Sequence, residues 1–307
     1  MLMKTLFIIL FVSFGIVLAD EPITPIPTDV PYNKAKAKLG KQLFFETMLS
    51  KDESVACVSC HNIYSGGADP RVVSGGFGGQ KGNIQSPTVL NAVFNFRQFW
   101  NGRARDLFEQ AGGPLQNPVE HNMTPELVEQ RLKASPYKKK FEAIYKNGVS
   151  FENTLDAIAE YEKTLTTPNS RFDLYLKGKL QLSKDEMRGY ELFKQYGCVS
   201  CHNGKNVGGN SFAKIGLFKE YINARAYPDR YAITNEAIDK QVYKVPTLRN
   251  IELTAPYFHD GSQKNLIGAI KIMGEYNLGV EIKDKDLILI EEFLKTLTGK
   301  LSEQTYE

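Results

Sequence analysis

The chain has 307 residues, with 38 Lys and Arg against 35 Asp and Glu, which gives a formal net charge of +3. This near-neutral balance, without a basic patch interleaved with aromatic residues, argues against a nucleic-acid partner. The length is sufficient for two domains of ordinary size.

The N-terminus has the form of a secretory signal. Lys4 supplies a positive charge, Thr5–Leu18 is an apolar stretch, and Val17–Ala19 offers a cleavage site before Asp20. An uncleaved membrane anchor is the alternative, although the apolar run is shorter than the ~20 residues that a membrane span prefers. We therefore predict a signal peptide over residues 1–19 and export to the periplasm.

The segment after the signal, Glu21–Tyr32, contains four prolines and reads as an extended arm. From Asn33 onward, apolar residues recur every four positions as far as Leu43, which predicts an amphipathic helix. Gly66–Gly82 contains seven glycines and predicts a loop that folds closely over another group.

Further helices are predicted by capping residues and by periodic apolar positions. Thr124 and Ser135 each precede a proline that suits the first position of a helix. An apolar stripe runs over Phe151–Leu165, and Ser183 with Glu186 forms a capping box for a later helix. Strand signals are sparse, so the predicted class is mainly α.

Two copies of the pattern Cys-x-x-Cys-His contain all four cysteines of the chain. The pattern is typical of c-type haem attachment, because two thiols three residues apart can add to the two vinyl groups of one haem. Paired disulfides, a thioredoxin-like motif and a four-cysteine zinc site are the alternatives, but zinc pairs usually lie closer together. None explains the histidine after both pairs. We predict two covalent haems, attached at Cys57, Cys60, Cys198 and Cys201, with His61 and His202 as iron ligands.

Four landmarks occur twice in the same order, which indicates an internal repeat. They are a Gly-x-x-Leu-Phe segment before the haem motif, a Pro-Thr turn after it, an aromatic turn ending in Gly, and a closing Lys-Thr-Leu-Thr. The repeat predicts two cytochrome c-like haem domains in tandem, over residues 20–168 and 169–307. The matching segments are Gly40–Phe44 and Gly189–Phe193, Ser86–Asn91 and Val245–Asn250, Phe99–Gly102 and Tyr257–Gly261, and Lys163–Thr166 and Lys295–Thr298.

The second iron ligand should differ between the two domains. A c-type haem with His and Met ligands is saturated and suits electron transfer, and Met273 follows His202 at the distance typical of such a ligand. A methionine that merely fills the core is the alternative. The first half has no methionine at the equivalent distance, which predicts an open position on the iron held by His61. His259 is favoured as a support for the second site.

In the region where the first half lacks that methionine, it contains Gln110 and Glu120. A carboxylate and an amide beside an open iron suit peroxide cleavage, because a general base can take a proton from one peroxide oxygen and return it to the other. From the spacing alone, the alternative of a surface charge at Glu120 stays open.

In combination, these motifs resemble those of bacterial di-haem cytochrome c peroxidases, from about residue 31 to residue 299. The resemblance implies reduction of hydrogen peroxide to water by two electrons from a small cytochrome c or blue-copper donor. The electrons would enter at the C-terminal haem and pass to the N-terminal, peroxidatic haem. The segments that carry the resemblance are the two haem motifs, Ser86–Phe94, Gln98–Arg103, Glu109–Gln110, Gly113–Pro114, Asn117–Glu120, Lys244–Asn250 and Tyr257–Gly261.

The resemblance also implies roles for individual residues. Glu120 matches the catalytic carboxylate, Gln110 its partner amide, and Trp100 an aromatic residue between the haems. Backbone carbonyls at Thr254 and Pro256 match ligands of a calcium ion between the domains. Members of the family are commonly homodimers, which predicts the same for this chain.

Two positions depart from the family pattern. Many members carry a histidine in the glycine-rich loop that caps the first iron in the oxidised enzyme, whereas this chain has Phe77. We therefore predict an iron that is open without prior reduction. The calcium-binding side chain before the first Pro-Thr turn is Asn in relatives and Gln85 here, so one calcium ion is predicted with an altered ligand.

Two other functions stay open from the sequence. A related di-haem oxidase that matures tryptophan tryptophylquinone on another protein uses Tyr where this chain has Met273. A di-haem electron carrier without catalysis would need a protein ligand on both irons, and the first half offers no persuasive second ligand.

Overall fold

The computed structural model describes residues 21–307, so the signal predicted over residues 1–19 lies outside the described part. Within residues 21–307, no helix is long and apolar enough to cross a membrane. The described part is mainly helical, as predicted. Its helices are α1 (Lys34–Phe44), α2 (Leu107–Gln116), α3 (Pro125–Lys133), α4 (Tyr137–Ile144), α5 (Phe151–Glu162), α6 (Arg171–Leu176), α7 (Lys184–Gln195), α8 (Tyr231–Thr234), α9 (Leu266–Ile272) and α10 (Asp284–Lys295), and its strands are β1 (Phe212–Lys214) and β2 (Val242–Lys244).

Two of the three predicted helix caps are confirmed. Thr124 caps α3 through the Leu127 amide, and Ser183 and Glu186 cap α7 reciprocally, as predicted. The prediction for Ser135 was wrong by one position, since α4 begins after Pro136. The Ser135 hydroxyl accepts from the amide of Tyr137 instead, so it supports the first helical residue from outside the helix.

Two pairs of helices, α1 with α5 and α7 with α10, form the frames of the two halves. In the first pair, a Cβ atom on Gly40 would overlap the carbonyl oxygen of Ala157. In the second pair, a Cβ atom on Gly189 would overlap the carbonyl oxygen of Leu289. The repeated glycine therefore allows the same close backbone contact twice, and the sequence repeat is a repeat of structure.

The apolar cores follow this division. The core around α1 and α5 contains Leu43, Phe141 and Leu155, whereas that around α7 and α10 contains Tyr190 and Phe293. Strands β1 and β2 pair antiparallel in the second half, with Phe212 opposite Lys244. Each half thus encloses its own haem motif between a helix pair and the loops that follow it.

The two ends of the described chain cross to the opposite half. Ile23 in the N-terminal arm lies in the core of the second half, as part of the extended segment that the prolines predicted. The C-terminal tail returns to the first half, where the Thr305 hydroxyl donates to the Thr164 carbonyl at 2.7 Å. These crossings tie the halves together.

Candidate functional site

Both Cys-x-x-Cys pairs lie on short 3-10 turns, at Cys57–Ser59 and Cys198–Ser200. All four cysteines fall within the described residues and are free thiols. Burial raises the pKa of the Cys57 and Cys198 thiols to about 12, so they stay protonated at neutral pH. Within residues 21–307 no three His, Cys, Asp or Glu side chains come together in a way that could hold a metal ion. The two pairs therefore lie apart as separate dithiol sites.

The histidine after each pair is half-buried, and its imidazole has a lowered pKa. The Nδ1 atom of His61 lies 3.2 Å from the Gly67 carbonyl oxygen. The equivalent atom of His202 lies beside the backbone of Val207 and Pro246 without a well-aligned hydrogen bond. Burial lowers the pKa of both imidazoles, to about 4 for His202. Since Nδ1 faces the backbone, Nε2 is the nitrogen available to an iron, and these residues fit axial ligation of two haems.

The candidate catalytic carboxylate, Glu120, follows α2 and lies against the glycine-rich loop. Its backbone carbonyl accepts a hydrogen bond from the Phe77 amide at 2.7 Å. A Cβ atom on Gly76 would overlap the Val119 carbonyl, so only glycine allows the loop to approach this closely. The Glu120 side chain accepts a hydrogen bond from Nδ2 of Asn117 at 2.5 Å. Glu120 is therefore fixed in position by both its backbone and its side chain.

The protonation of Glu120 is set by its surroundings. Burial raises the pKa of the Glu120 carboxyl above its ordinary value, while the Asn117 hydrogen bond and the positive charge of Arg103 act in the opposite direction. Arg103 is itself held by a hydrogen bond to the Tyr227 hydroxyl at 2.9 Å. A raised pKa makes the carboxyl a stronger base than an ordinary glutamate, which suits a group that accepts a proton and returns it. This arrangement favours proton transfer over a solvated surface charge.

Gln110 does not contact Glu120 through a hydrogen bond in the described part of the chain. Gln110 lies on α2, where its backbone N–H donates to the Asp106 carbonyl. The side-chain amide that donates to the Glu120 carboxylate belongs to Asn117, three residues earlier in the chain. Asn117 was not among the predicted site residues. The sequence signal that identifies Asn117 as a partner is an Asn three positions before a carboxylate residue in a turn.

Trp100 connects the two halves. Its indole N–H donates to the Gln85 carbonyl at 2.9 Å within the first half. Its ring packs in a cluster that belongs otherwise to the second half and includes Met273 and Tyr243. The ring also meets His259 edge to face, with centroids 6.1 Å apart. Trp100 therefore contacts residues of both halves.

Met273 begins a π-helical turn, Met273–Leu278, that continues from α9. Such turns are frequent at functional sites. Nearby, Nε2 of His259 lies 2.9 Å from Oδ1 of Asn223, and its ring stacks on Tyr243 with centroids 4.1 Å apart. His259 is thus held by protein groups, which favours the supporting role over iron ligation.

Of the predicted calcium ligands, Gln85 lies at a contact between the halves. The backbone N–H of Gln85 donates to the His259 carbonyl at 2.9 Å. The Gln85 side chain is buried, and its Nε2 donates to the Asp69 carbonyl, which leaves Oε1 as the atom available to a cation. Thr254 and Pro256 follow a 3-10 turn and offer two carbonyls two residues apart.

Known proteins of similar sequence point to one family. A family model described as di-haem cytochrome c peroxidase matches residues 34–181. The cytochrome c551 peroxidase of Nitrosomonas europaea is 46% identical over 293 residues, which cover 94% of this chain and 88% of the relative. The cytochrome c551 peroxidase of Pseudomonas aeruginosa is 44% identical over 298 residues, covering 92% and 86%.

A solved structure shares the whole fold. The crystal structure of a MauG-like protein associated with microbial copper homeostasis superposes with a TM-score of 0.79 at 27% identity, over 96% of this chain and 99% of that one. The tandem arrangement of two cytochrome c-like domains is therefore confirmed, and so is the family predicted from the motifs. The chain belongs to the di-haem cytochrome c peroxidase family.

Proposed function

We propose that this protein reduces hydrogen peroxide to water in the periplasm, with Glu120 as the group that moves the proton. Each turnover consumes one peroxide, two protons and two electrons and yields two waters. The electrons come from a small cytochrome c or a blue-copper protein, one at a time, through the C-terminal haem.

The observation that carries the proposal is the environment of Glu120. The carboxylate is oriented by Asn117, has a raised pKa, and lies in the half that has no methionine equivalent to Met273. With a haem held by His61, Glu120 would take a proton from one peroxide oxygen and return it to the other as the O–O bond breaks. Asn117 keeps one carboxylate oxygen fixed, so that the other is free for the proton.

Two haems c complete the site, bound through thioethers at Cys57 and Cys60 and at Cys198 and Cys201. They supply the iron that binds peroxide and the capacity to store and pass electrons. His61 would ligate the peroxidatic iron, and His202 with Met273 would ligate the electron-accepting iron. Trp100 lies between them and provides an aromatic step for the electron.

The proposal also includes the location of the protein, a calcium ion and the oligomeric state. The periplasmic location depends on cleavage of residues 1–19. One calcium ion is held by Gln85 and the carbonyls of Thr254 and Pro256, at the boundary between domains 20–168 and 169–307. The working enzyme is a homodimer.

Steady-state oxidation of a reduced small cytochrome c by peroxide tests the function. We expect turnover by the native protein and a loss of at least about 10²-fold in Glu120→Gln, the lower bound for removal of a general base. Glu109→Gln is the matched control, since Glu109 is an exposed carboxylate on α2 paired with Arg105.

The same variants separate the alternatives. An electron carrier would show no peroxide-dependent turnover and no difference between the two variants, at full haem content. An oxidase that acts on a protein tryptophan would oxidise such a substrate faster than the cytochrome donor. Either result, or full activity in Glu120→Gln, contradicts the proposal.

A further inference from the structure

Lys244 is a largely buried lysine for which residues 21–307 supply no counter-charge. It ends β2, and only 7% of its surface is exposed. Within residues 21–307, no carboxylate lies within 4.0 Å of its ammonium group, and the side chain makes no hydrogen bond. Burial lowers the pKa of Lys244 to about 8. A buried charge is costly unless it is paired, so the position calls for an anion.

The internal repeat shows where this cation lies. Lys244 stands two residues before Pro246 in the second Pro-Thr turn, and Gln85 stands two residues before Pro87 in the first. The backbone contacts match. The backbone N–H of Lys244 donates to the Trp100 carbonyl, and the backbone N–H of Gln85 donates to the His259 carbonyl. Trp100 and His259 are themselves equivalent in the repeat and in contact.

Lys244 therefore occupies the position in the second half that corresponds to Gln85 in the first half. In the first half this position holds a neutral amide, and in the second half it holds a charged ammonium. Lys244 also lies close to the second haem motif in the fold, because the carbonyl of Pro246 faces His202. The haem predicted for that half carries carboxylates, and these are the anions that we expect closest to Lys244.

We propose that the Lys244 ammonium binds a propionate carboxylate of the haem held by His202, and thereby sets the reduction potential of that haem. The proposal rests on the haem content of the proposed function. A fixed positive charge beside the haem stabilises the ferrous state, which carries one positive charge fewer than the ferric state. The pairing thus favours uptake of the donor electron at this haem.

Redox titration of the holoprotein, followed by the absorption of the two haems, tests this proposal. We expect the midpoint potential of the His202 haem to fall in Lys244→Met, while that of the His61 haem changes less. Lys244→Arg should restore the native potential, because it keeps the charge. Lys214→Met is the matched control, since Lys214 is an exposed lysine on the paired strand β1.

The outcomes are distinguishable from failure of the proposed function. Haem content is measured first, as the pyridine haemochrome, and a native protein without two haems would refute the proposed function itself. An unchanged potential in fully loaded Lys244→Met overturns the role of Lys244, as does a fall of the same size in Lys214→Met. Lys244→Gln, which is polar and neutral, replaces Lys244→Met if that variant does not fold.

Discussion

At the scale of single residues, two carboxylates of the same sequence region behave differently because their surroundings differ. Glu109 is exposed and paired with Arg105, which holds its pKa below the ordinary value. Glu120 is withdrawn from solvent, and burial raises its pKa. Burial and hydrogen bonding, rather than residue type, thus select which carboxylate can move a proton.

Asn117→Ala should shift the pH profile of peroxide turnover. The Asn117 hydrogen bond stabilises the charged form of Glu120, so its removal raises the Glu120 pKa further. Because the base form is required, activity is present above this pKa and lost as the pH falls through it. The acid limb should move to higher pH by about one to two units, since such a bond contributes about 1.5–3 kcal/mol and 1.36 kcal/mol corresponds to one unit.

The shift is measured from kcat/KM against pH for the reaction with peroxide. Gln116→Ala is the control, because Gln116 lies beside Asn117 and its side chain bonds only the Gly112 carbonyl. A profile of Asn117→Ala that overlays the native one would show that Glu120 is not the titrating base.

Phe77 predicts an enzyme that is active without prior reduction. The loop residue is fixed against Glu120 by its amide, and its side chain offers no nitrogen to an iron. We expect a high-spin ferric signal in the electron paramagnetic resonance spectrum of the oxidised protein as isolated. Phe77→His should convert part of it to a low-spin signal, whereas Phe108→His, at an exposed site, should not. Solely low-spin signals in the native protein would contradict the prediction.

At the scale of secondary structure, glycine sets the distance between the paired helices. Gly40→Ala and Gly189→Ala should each destabilise the protein by about 1–3 kcal/mol or more, because the added methyl group would overlap a backbone carbonyl of the partner helix. The free energy of unfolding in denaturant measures the effect. Lys38→Ala, on the exposed face of α1, should change it by less than about 0.5 kcal/mol. Equal effects of Gly40→Ala and Lys38→Ala would exclude the close contact.

At the scale of the whole molecule, a buried ion pair joins segments that are distant in sequence. Arg249 lies 2.7 Å from Asp173, and both side chains are fully buried. The Arg249 guanidinium also donates to the Thr24 carbonyl in the N-terminal arm and to the Ser170 hydroxyl. The arm, the segment between the halves and the second Pro-Thr turn therefore meet at one residue.

Arg249→Met should destabilise the protein by about 3–5 kcal/mol, because it leaves the Asp173 carboxylate buried without a counter-charge. Equilibrium unfolding of the holoprotein measures the loss. Arg105→Met is the comparison: its pair with Glu109 is exposed on both sides and should contribute about 0–1 kcal/mol. A small effect of Arg249→Met would mean that water reaches Asp173 in the native state.

The sequence by itself determined the haem motifs, the helical class, the internal repeat and the family. Each depends on spacing within a few residues or on the order of landmarks, as with Cys57–His61 and the capping box at Ser183, and such patterns are legible without a fold. Even there, the start of α4 at Tyr137 escaped prediction, because Pro136 rather than Ser135 precedes the first helical residue.

Only the tertiary structure decided which side chains act together. It assigned Asn117 rather than Gln110 as the hydrogen-bond partner of Glu120, and it brought Trp100 into contact with His259. It also revealed that Lys244 is buried and that residues 21–307 give it no counter-charge. Burial and pairing arise when segments far apart in the chain pack together, and no local pattern of residues reports the resulting loss of solvent.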